Sequence, residues 1–547
     1  MPKISLCMIV RDEADHLADC LKSVADLVQE IIIVDTGSKD ATREIARAHG
    51  AQVFDFAWID DFSAARNKSL RHATGDWIFW LDADDRLDET NRARFRQLAA
   101  TLTMQNLIYM MHHASPTPTG DVSVLQERFF RNGPKAAWRN RVHESVAPAL
   151  QEAGYEGRTT DVVISHVGYA DPAAYRRKQE RNLRLLEMAI AESPRDAVAL
   201  YNLGRTQIGM KLLLEGFATL DRAARVGPLP PQYLRDSFRL KARALIQLNR
   251  HQEARATCLN GRVSFPDDAD LCFLEGEILD VLGDLPGAEN NFKQLLDPNR
   301  KWIALTGGVN GYLAHQNLGA IYRRTNRDGE AETSWGAAVT ERPDFRPAWI
   351  SLGELYTAHK HWAPAAEAFR KCIQQGRGRD DLRRRAWRGL IRAQFESGQP
   401  NQALATCRDG RTQVPDDADL CFLESQLLLT AGDLAGAQRT LEELLQEGRP
   451  WSGTDPALVG FKSRQNLGVV LLRQDRAAEA EVQFRRVVQE QPTFFVGWAA
   501  LADLYVTQKR WTDAEQVAKS LDTFPEGKRF APMLRDRIAK ASAAPNP

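Results

Sequence analysis

Three carboxylates, Asp82, Asp84 and Asp85, follow an apolar run from Trp77 to Leu81, which is itself preceded by Gly75. Such a run reads as a buried parallel strand. In an open α/β sheet, ligands bind beyond the carboxyl ends of the strands. Asp82 and Asp84 stand two apart and offer hard oxygen ligands of the kind that Mg²⁺ or Mn²⁺ prefers. A cation held there would bridge a substrate diphosphate. A lone pair of acids at this spacing is most often a solvated turn, so the surrounding elements have to carry the argument.

Lys3 to Val10 reads as a first strand, followed by Arg11-Asp12-Glu13 and an amphipathic helix through Leu17, Leu21 and Val24. Ile31 to Val34 is a second buried strand. It ends in Asp35-Thr36-Gly37-Ser38-Lys39-Asp40, an acid and glycine turn that presents Asp35 to a ribose or base edge. Ala51 to Phe56 is a third strand, and Asp61 is placed to N-cap a helix carrying Arg66. Alternating strands and helices predict a mostly parallel sheet with helices on its faces.

Four segments in order, SLCMIVRDEADHLADCLKSV, IIIVDTGSKDAT, WIDDFSAARNKSL and DWIFWLDADD, resemble the nucleotide-binding half of a family 2 glycosyltransferase. The likeness is to the bacterial type in which this GT-A domain is joined to tetratricopeptide repeats. It continues to about residue 169 through ERFFRN (127–132), Trp138, Val142-His143-Glu144 and the segment Ile164 to Tyr169. Arg11-Asp12-Glu13 departs from the commoner basic-Asn-Glu form: Asp12 still accepts hydrogen bonds but lacks the amide donor.

The resemblance implies an α/β GT-A fold and a metal-dependent, inverting transfer of a sugar from a nucleotide diphosphate, with UDP-sugar as donor and Mn²⁺ or Mg²⁺ as cofactor. It implies that Asp35 holds the uracil or ribose, that Asp82 touches the ribose or sugar, and that Asp12 belongs to the donor site. Arg66 is implied as a phosphate or sugar contact, a role its guanidinium fork suits. Asp84 is implied as a metal ligand, with His166 as the late histidine ligand, and Glu144 as the catalytic base. For Glu144 the competing reading is a surface ion pair with Arg139 or Arg141; for His166 it is a satisfied structural histidine. His112 and His113, adjacent on a strand, point to opposite faces and cannot jointly bind one metal.

From about residue 171 the strands stop and a helical pattern with a period of about 34 residues begins, the signature of tetratricopeptide repeats. Small and large residues recur in frame: Leu318, Gly319, Tyr322, Ala331 and Trp335, then Leu352, Gly353, Tyr356, Ala365 and Phe369. The frame predicts repeat starts at 197, 235, 269, 312, 346, 384, 418, 461 and 495. Residues 256–284 match 405–433 at an offset of 149 without a gap, so a four-repeat block (235–383) is duplicated as 384–532. Insertions near 303–311 and 452–460 project from equivalent points of the two copies. The expected organisation is a transferase domain over 1–170, a linking helix over 171–196, nine repeats over 197–528, and a capping helix with a loose tail over 529–547.

In the repeats of O-GlcNAc transferases an asparagine ladder at position 6 grips peptide backbone. Here Asn202, Asn317 and Asn466 occupy that position and the other six repeats do not continue the ladder. A protein or peptide acceptor held by the repeats is nevertheless the first expectation, with a homodimer through the solenoid as its competitor. A cell-surface glycan or lipid-linked acceptor is the alternative within the enzyme class. An inactive transferase-like domain on a protein-binding scaffold is the alternative outside it, although the acids and His166 are all present.

Over 547 residues, Lys+Arg and Asp+Glu both number 72, which gives no basic bias toward nucleic acid or an anionic membrane. No apolar run approaches the roughly 20 residues that cross a bilayer, so no transmembrane segment is expected. The chain enters its first strand at once, from which no signal peptide is expected. Cys258, Cys407, Cys272 and Cys421 are duplication pairs inside repeats and read as packing residues, and Cys7 lies on a buried strand. With no metal-type cysteine pair, a cytoplasmic location is the expectation.

Overall fold

The computed structural model describes residues 2–115, 122–167, 172–376, 381–525 and 527–543. Gly168, Tyr169 and the last four residues of the expected tail lie outside the described residues. The chain divides into two compact units, Met1–Pro266 and Asp267–Pro547.

The first unit is built on eight strands: β1 (Ile4–Val10), β2 (Glu30–Asp35), β3 (Gln52–Asp55), β4 (Trp77–Trp80), β5 (Asp85–Arg86), β6 (Leu107–Ser115), β7 (Val122–Arg131) and β8 (Glu156–His166). They form one sheet in the order β3-β2-β1-β4-β7-β6-β8-β5. The half from β3 to β4 is parallel, as runs such as EIIIVD and WIFW, buried on both faces, require. Beyond it, β7 runs antiparallel to β4 and to β6, and β5 antiparallel to β8, so the whole sheet is mixed. Alternation along the strands divides the core: Leu6, Met8, Ile33, Trp77 and Phe79 pack on one face, Cys7, Ile32, Ile78 and Trp80 on the other.

Helices α1 (Leu17–Val24), α2 (Thr42–Ala48), α3 (Phe62–His72), α4 (Glu89–Ala100) and α5 (Ala147–Glu152) connect these strands. α3 starts where a carboxylate can stop the orphan amides: Asp61 accepts from Ala64 N at 3.0 Å. The unit does not end with the sheet. It continues through α6 (Pro172–Glu192) and the hairpins α7 (Ala197–Gly209) with α8 (Leu213–Val226), and α9 (Pro231–Gln247) with α10 (His251–Ser264). Leu185, Leu186 and Leu203 bury against Val142, Trp58 and Phe62 of the sheet domain, and Arg184 grips Asp60 through two bonds of 2.6 and 2.9 Å.

The second unit is helical hairpins among its described residues, from Ala269–Val281 with Leu285–Leu295 to Phe495–Thr507 with Trp511–Asp522, followed by Phe530–Ala543. The hairpin glycines are where aromatic rings pass: a Cβ on Gly353 would stand 2.6 Å from Phe369, and one on Gly389 would stand 2.4 Å from the same ring. Both insertions are tied back in the same way. Ile303 bridges Asp268, and Asp270 accepts from the amides of Leu305 and Thr306 at 2.7 and 3.1 Å; Ser452 bridges Asp417, and Asp419 accepts from Thr454 N at 2.8 Å. The four aspartates are themselves related by the offset of 149. Among the described residues no helix is long and apolar enough to cross a membrane.

Candidate functional site

Parallel pairing of β1 with both β2 and β4 brings three strand ends to one edge: Val10 stands opposite Asp35, and Cys7 opposite Trp80. Asp35 is fully buried, and its carboxylate accepts from Gly37 N and Ser38 N at 3.1 and 3.0 Å and from the Arg43 guanidinium at 2.7 Å. Burial alone would raise its pKa, but the Ser38, Arg43 and Gly37 hydrogen bonds outweigh it and hold the carboxyl below its ordinary value. Asp12, in the left-handed region at φ 54°, uses one oxygen on Lys39 N at 2.7 Å, while its own amide donates to Ser38 Oγ at 2.9 Å. It thereby locks the β1 end to the turn that carries Asp35.

Beyond β4 the three acids separate by environment. The Asp85 side chain is fully buried and saturated. Its Oδ1 meets His113 Nε2 at 2.9 Å and His166 Nδ1 at 3.0 Å, and its Oδ2 accepts from Arg128 at 2.9 Å and from Asp82 N at 2.9 Å. The Asp82 and Asp84 side chains retain 37% and 23% of their exposure and face solvent. His166 Nε2 lies 3.3 Å from Asp84 Oδ2. Burial depresses the His166 imidazolium, but the hydrogen bond to Asp85 and the charges of Asp84 and Asp82 prevail and raise its pKa. Asp84 itself is raised, by burial first, with His166 opposing.

Arg66 joins these acids to the other wall. Its side chain is 6% exposed; Nε donates to Glu144 Oε1 at 2.7 Å and a terminal nitrogen donates to Asp82 Oδ1 at 2.8 Å. The guanidinium lies 4.3 Å over Trp80, whose ring also carries Arg128 at 3.8 Å, and 5.1 Å from Trp138. Aromatic faces of this kind hold a cation without taking its donors. The fold therefore pairs Glu144 with Arg66, whereas Arg139 pairs with Glu152 and Arg141 with Glu192. His143, just before Glu144, stands at φ 55°, a strained position for a non-glycine residue that the surrounding structure must enforce.

Asp82, Asp84, His166, Arg66 and Glu144 thus converge, while Asp35 and Asp12 lie along the same edge at the β2 turn. Four participants escaped the sequence reading. Arg128 sits in the ERFFRN segment, and its partners Trp80 and Asp85 come from β4 and β5, which only the assembled sheet reveals. Asp85 carries the same sequence signal as Asp82 and Asp84, an acid after an apolar strand, although it is the buried one. His113 reaches Asp85 at 2.9 Å, with its ring 5.0 Å from that of His166, because β6 lies beside β8 in the sheet, a pairing that local sequence does not encode. Glu13 feels the charges of Asp84 and Asp82; burial first, then these acids with Asp40 and Asp12, push its carboxyl up to about 7. Its signal was its place beside Asp12 in the first motif.

Residues 5–101 match the glycosyl transferase family 2 model, and residues 394–452 a tetratricopeptide repeat model. The chain carries a family 2 glycosyltransferase domain followed by tetratricopeptide repeats. A TPR repeat-containing protein of Synechococcus elongatus is 40% identical over 212 residues, which cover 37% of this chain and 52% of that one. The SPbeta prophage-derived glycosyltransferase SunS of Bacillus subtilis is 28% identical over 208 residues, covering 37% and 49%. The chain therefore spans about half the length of these curated relatives. Among solved structures, the C-terminal part of a TPR repeat-containing protein from Cytophaga hutchinsonii aligns with a TM-score of 0.40 at 13% identity, over 48% of this chain and 99% of that one.

The transferase domain offers two arrangements for a cation. Asp85, His113 and His166 bring ligand atoms within 4.8 Å of one another. Asp84 and His166 Nε2 form the second, beside Glu13. In the first, both Asp85 oxygens are already engaged and Arg128 stands 2.9 Å away, an adverse charge for a metal. In the second, Asp85 holds Nδ1–H of His166, which leaves Nε2 as the lone-pair nitrogen next to an oxygen of Asp84; this is the carboxylate–histidine support common behind metal ligands. The second arrangement offers one carboxylate oxygen and one imidazole nitrogen, a donor pair that a divalent first-row cation can use.

Proposed function

We propose that this protein is a metal-dependent, inverting glycosyltransferase that takes a sugar from a nucleotide diphosphate, with UDP-sugar as donor, and passes it to a protein or peptide. The observation that carries this reading is the bridge formed by Arg66 between Asp82 on the donor side and Glu144 on the opposite wall. Asp84 and His166 would hold the cation, which when bound neutralises charge on the departing diphosphate. Asp35 would take the ribose or uracil, and Asp12 would keep that turn in place.

Only one Glu144 oxygen, Oε1, is bonded to Arg66, which leaves Oε2 for a substrate proton. In the proposed step the acceptor oxygen or sulfur forms a bond to the anomeric carbon while the carbon–phosphate oxygen bond breaks. The acceptor proton goes to Glu144, and the electron pair leaves with the nucleoside diphosphate. Removal of that proton by a positioned base contributes typically about 10²–10⁴-fold.

A protein or peptide acceptor is favoured by the repeats, and one feature of the second unit adds to it. A cavity of about 570 Å³ is lined by Arg388, Arg392, Phe395, Phe422 and Leu423 among others, and Phe395 remains 39% exposed. The lining is apolar through Ile391, Phe395, Phe422 and Leu423 and mixed in charge, with Arg392 accompanied by Glu396, Asp419 and Asp455, a composition that suits an extended chain with bulky side chains. The reading is tested by calorimetry with UDP in the presence and absence of Mn²⁺, followed by donor hydrolysis with a panel of UDP-sugars. Tight, Mn²⁺-dependent UDP binding with slow hydrolysis of one sugar supports it. Absence of UDP binding under either condition overturns the UDP assignment.

A further inference from the structure

α6 leaves the sheet domain yet belongs to the same compact unit, and it is fixed there on two sides. Arg184 holds Asp60 through two bonds, Glu192 pairs with Arg141, and Leu185 and Leu186 are buried against Val142, Trp58 and Phe62. One turn before Arg184 on this anchored helix stands Arg181. Its guanidinium lies 4.9 Å over the ring of Phe62, the first residue of α3. Phe62 and Arg66 are one turn apart and share a face of α3. Arg181 is therefore held beside the group that bonds Glu144 and Asp82.

Arg181 is exposed, and among the described residues it makes no hydrogen bond and no ion pair. Its charge nevertheless acts on Glu144 and Glu13, with Arg11 as the neighbouring cation. The aromatic face holds the guanidinium without taking its donors, within the field of Glu144 and Glu13, which is the arrangement of an arginine kept for an oxyanion. The site also has a need for such a charge. Glu13, Asp82, Asp84 and Glu144 line it with carboxylates, and Arg66 and Arg128 already spend their bonds on Asp82, Glu144 and Asp85. A diphosphate entering beside these acids requires a further cation besides the metal.

We infer that Arg181, contributed by the helix that leads into the repeats, binds the diphosphate of the nucleotide donor. This rests on the donor reading above. The consequence is that the donor site is completed by α6, so that the sheet domain alone holds an incomplete site.

The test uses the full chain with Mn²⁺ and three probes, UDP, inorganic pyrophosphate and uridine, on wild type, Arg181→Met and Arg181→Lys. Arg181→Met keeps the stem on Phe62 and removes the charge. The expected result is that it weakens UDP and pyrophosphate about ten-fold or more, the loss of a charge-assisted bond, and leaves uridine unchanged, while Arg181→Lys recovers part of the loss. A merely structural role would weaken uridine equally, and that outcome overturns the inference. Unchanged UDP affinity in Arg181→Met also overturns it while leaving the donor reading intact. Pyrophosphate binding that depends on Arg181 without any UDP binding sustains Arg181 and rejects UDP. Failure of wild type to bind any probe rejects both.

Discussion

Nε of Arg66 lies 2.7 Å from Oε1 of Glu144, although 78 residues separate them in the chain. The contact joins helix α3 to the loop before α5 and places a fixed positive charge between the two walls of the site. Because the same guanidinium reaches Asp82, a displacement of Arg66 would be felt on both walls at once.

Glu144→Gln preserves the shape of that contact and removes the proton acceptor. Turnover of the donor–acceptor pair is expected to fall by about 10²–10⁴-fold, with UDP affinity within about two-fold of wild type by calorimetry. A variant that turns over normally would remove Glu144 from the role of base.

Arg66→Met leaves the partly buried Glu144 without its counter-charge. Removal of one partner of a buried pair costs about 3–5 kcal/mol, and urea denaturation followed by tryptophan fluorescence should show a loss of this order. Arg66→Lys should recover little, because a lysine cannot span Glu144 and Asp82 at once.

Asp84→Ala is expected to abolish the Mn²⁺ dependence of UDP binding, whereas Asp85→Asn should first lower thermal stability, because Asp85 bonds His113, His166 and Arg128 internally. If Asp85→Asn loses Mn²⁺ at unchanged stability, the metal belongs to the Asp85, His113 and His166 set instead.

Proton linkage follows from Glu13 and His166. Glu13 is raised from 4.5 to about 7 in the folded protein, and His166 is raised above 6.5. Both groups hold their protons more tightly folded than unfolded, so their contribution to stability is present at acid pH and fades as pH rises through the folded values. A cation beside them must displace those protons. Mn²⁺ affinity is therefore expected to rise from pH 5.5 to about pH 7.5. Calorimetry at pH 6 in two buffers of different ionisation enthalpy should report proton release. Identical heats in both buffers would falsify this linkage.

Two packing predictions separate the units. Leu185 is fully buried between α6 and the sheet domain, and Leu185→Ala should cost about 2–5 kcal/mol, with an altered Trp58 emission as α6 loosens. In the second unit, Phe369 is flanked by Gly353 and Gly389, where a Cβ would approach to 2.6 and 2.4 Å. Gly353→Ala and Gly389→Ala should each destabilise by about 1–3 kcal/mol through overpacking, without effect on UDP binding.

Local sequence determined a good deal here. The apolar runs of β1, β2 and β4 could only be buried strands, their terminal acids followed from the same runs, and the Asp61 cap of α3 was legible from residue type. The glycine and aromatic frame of the helical half depends on contacts within one or two hairpins, so a 34-residue period carried it. Tertiary structure decided what chain-distant elements share. Arg66 chose Glu144 over the arginines adjacent to Glu144, because α3 and the loop before α5 meet only when the sheet closes. Asp85 rather than Asp84 became the buried acid because β7 and β8 deliver Arg128 and His166 onto it. α6, which reads as a linker, became a wall of the first compact unit because its apolar face had Trp58, Phe62 and Val142 to bury against. Pattern reports what a segment must bury; only the assembled fold decides against whom, and charge pairing at a site is settled by that choice.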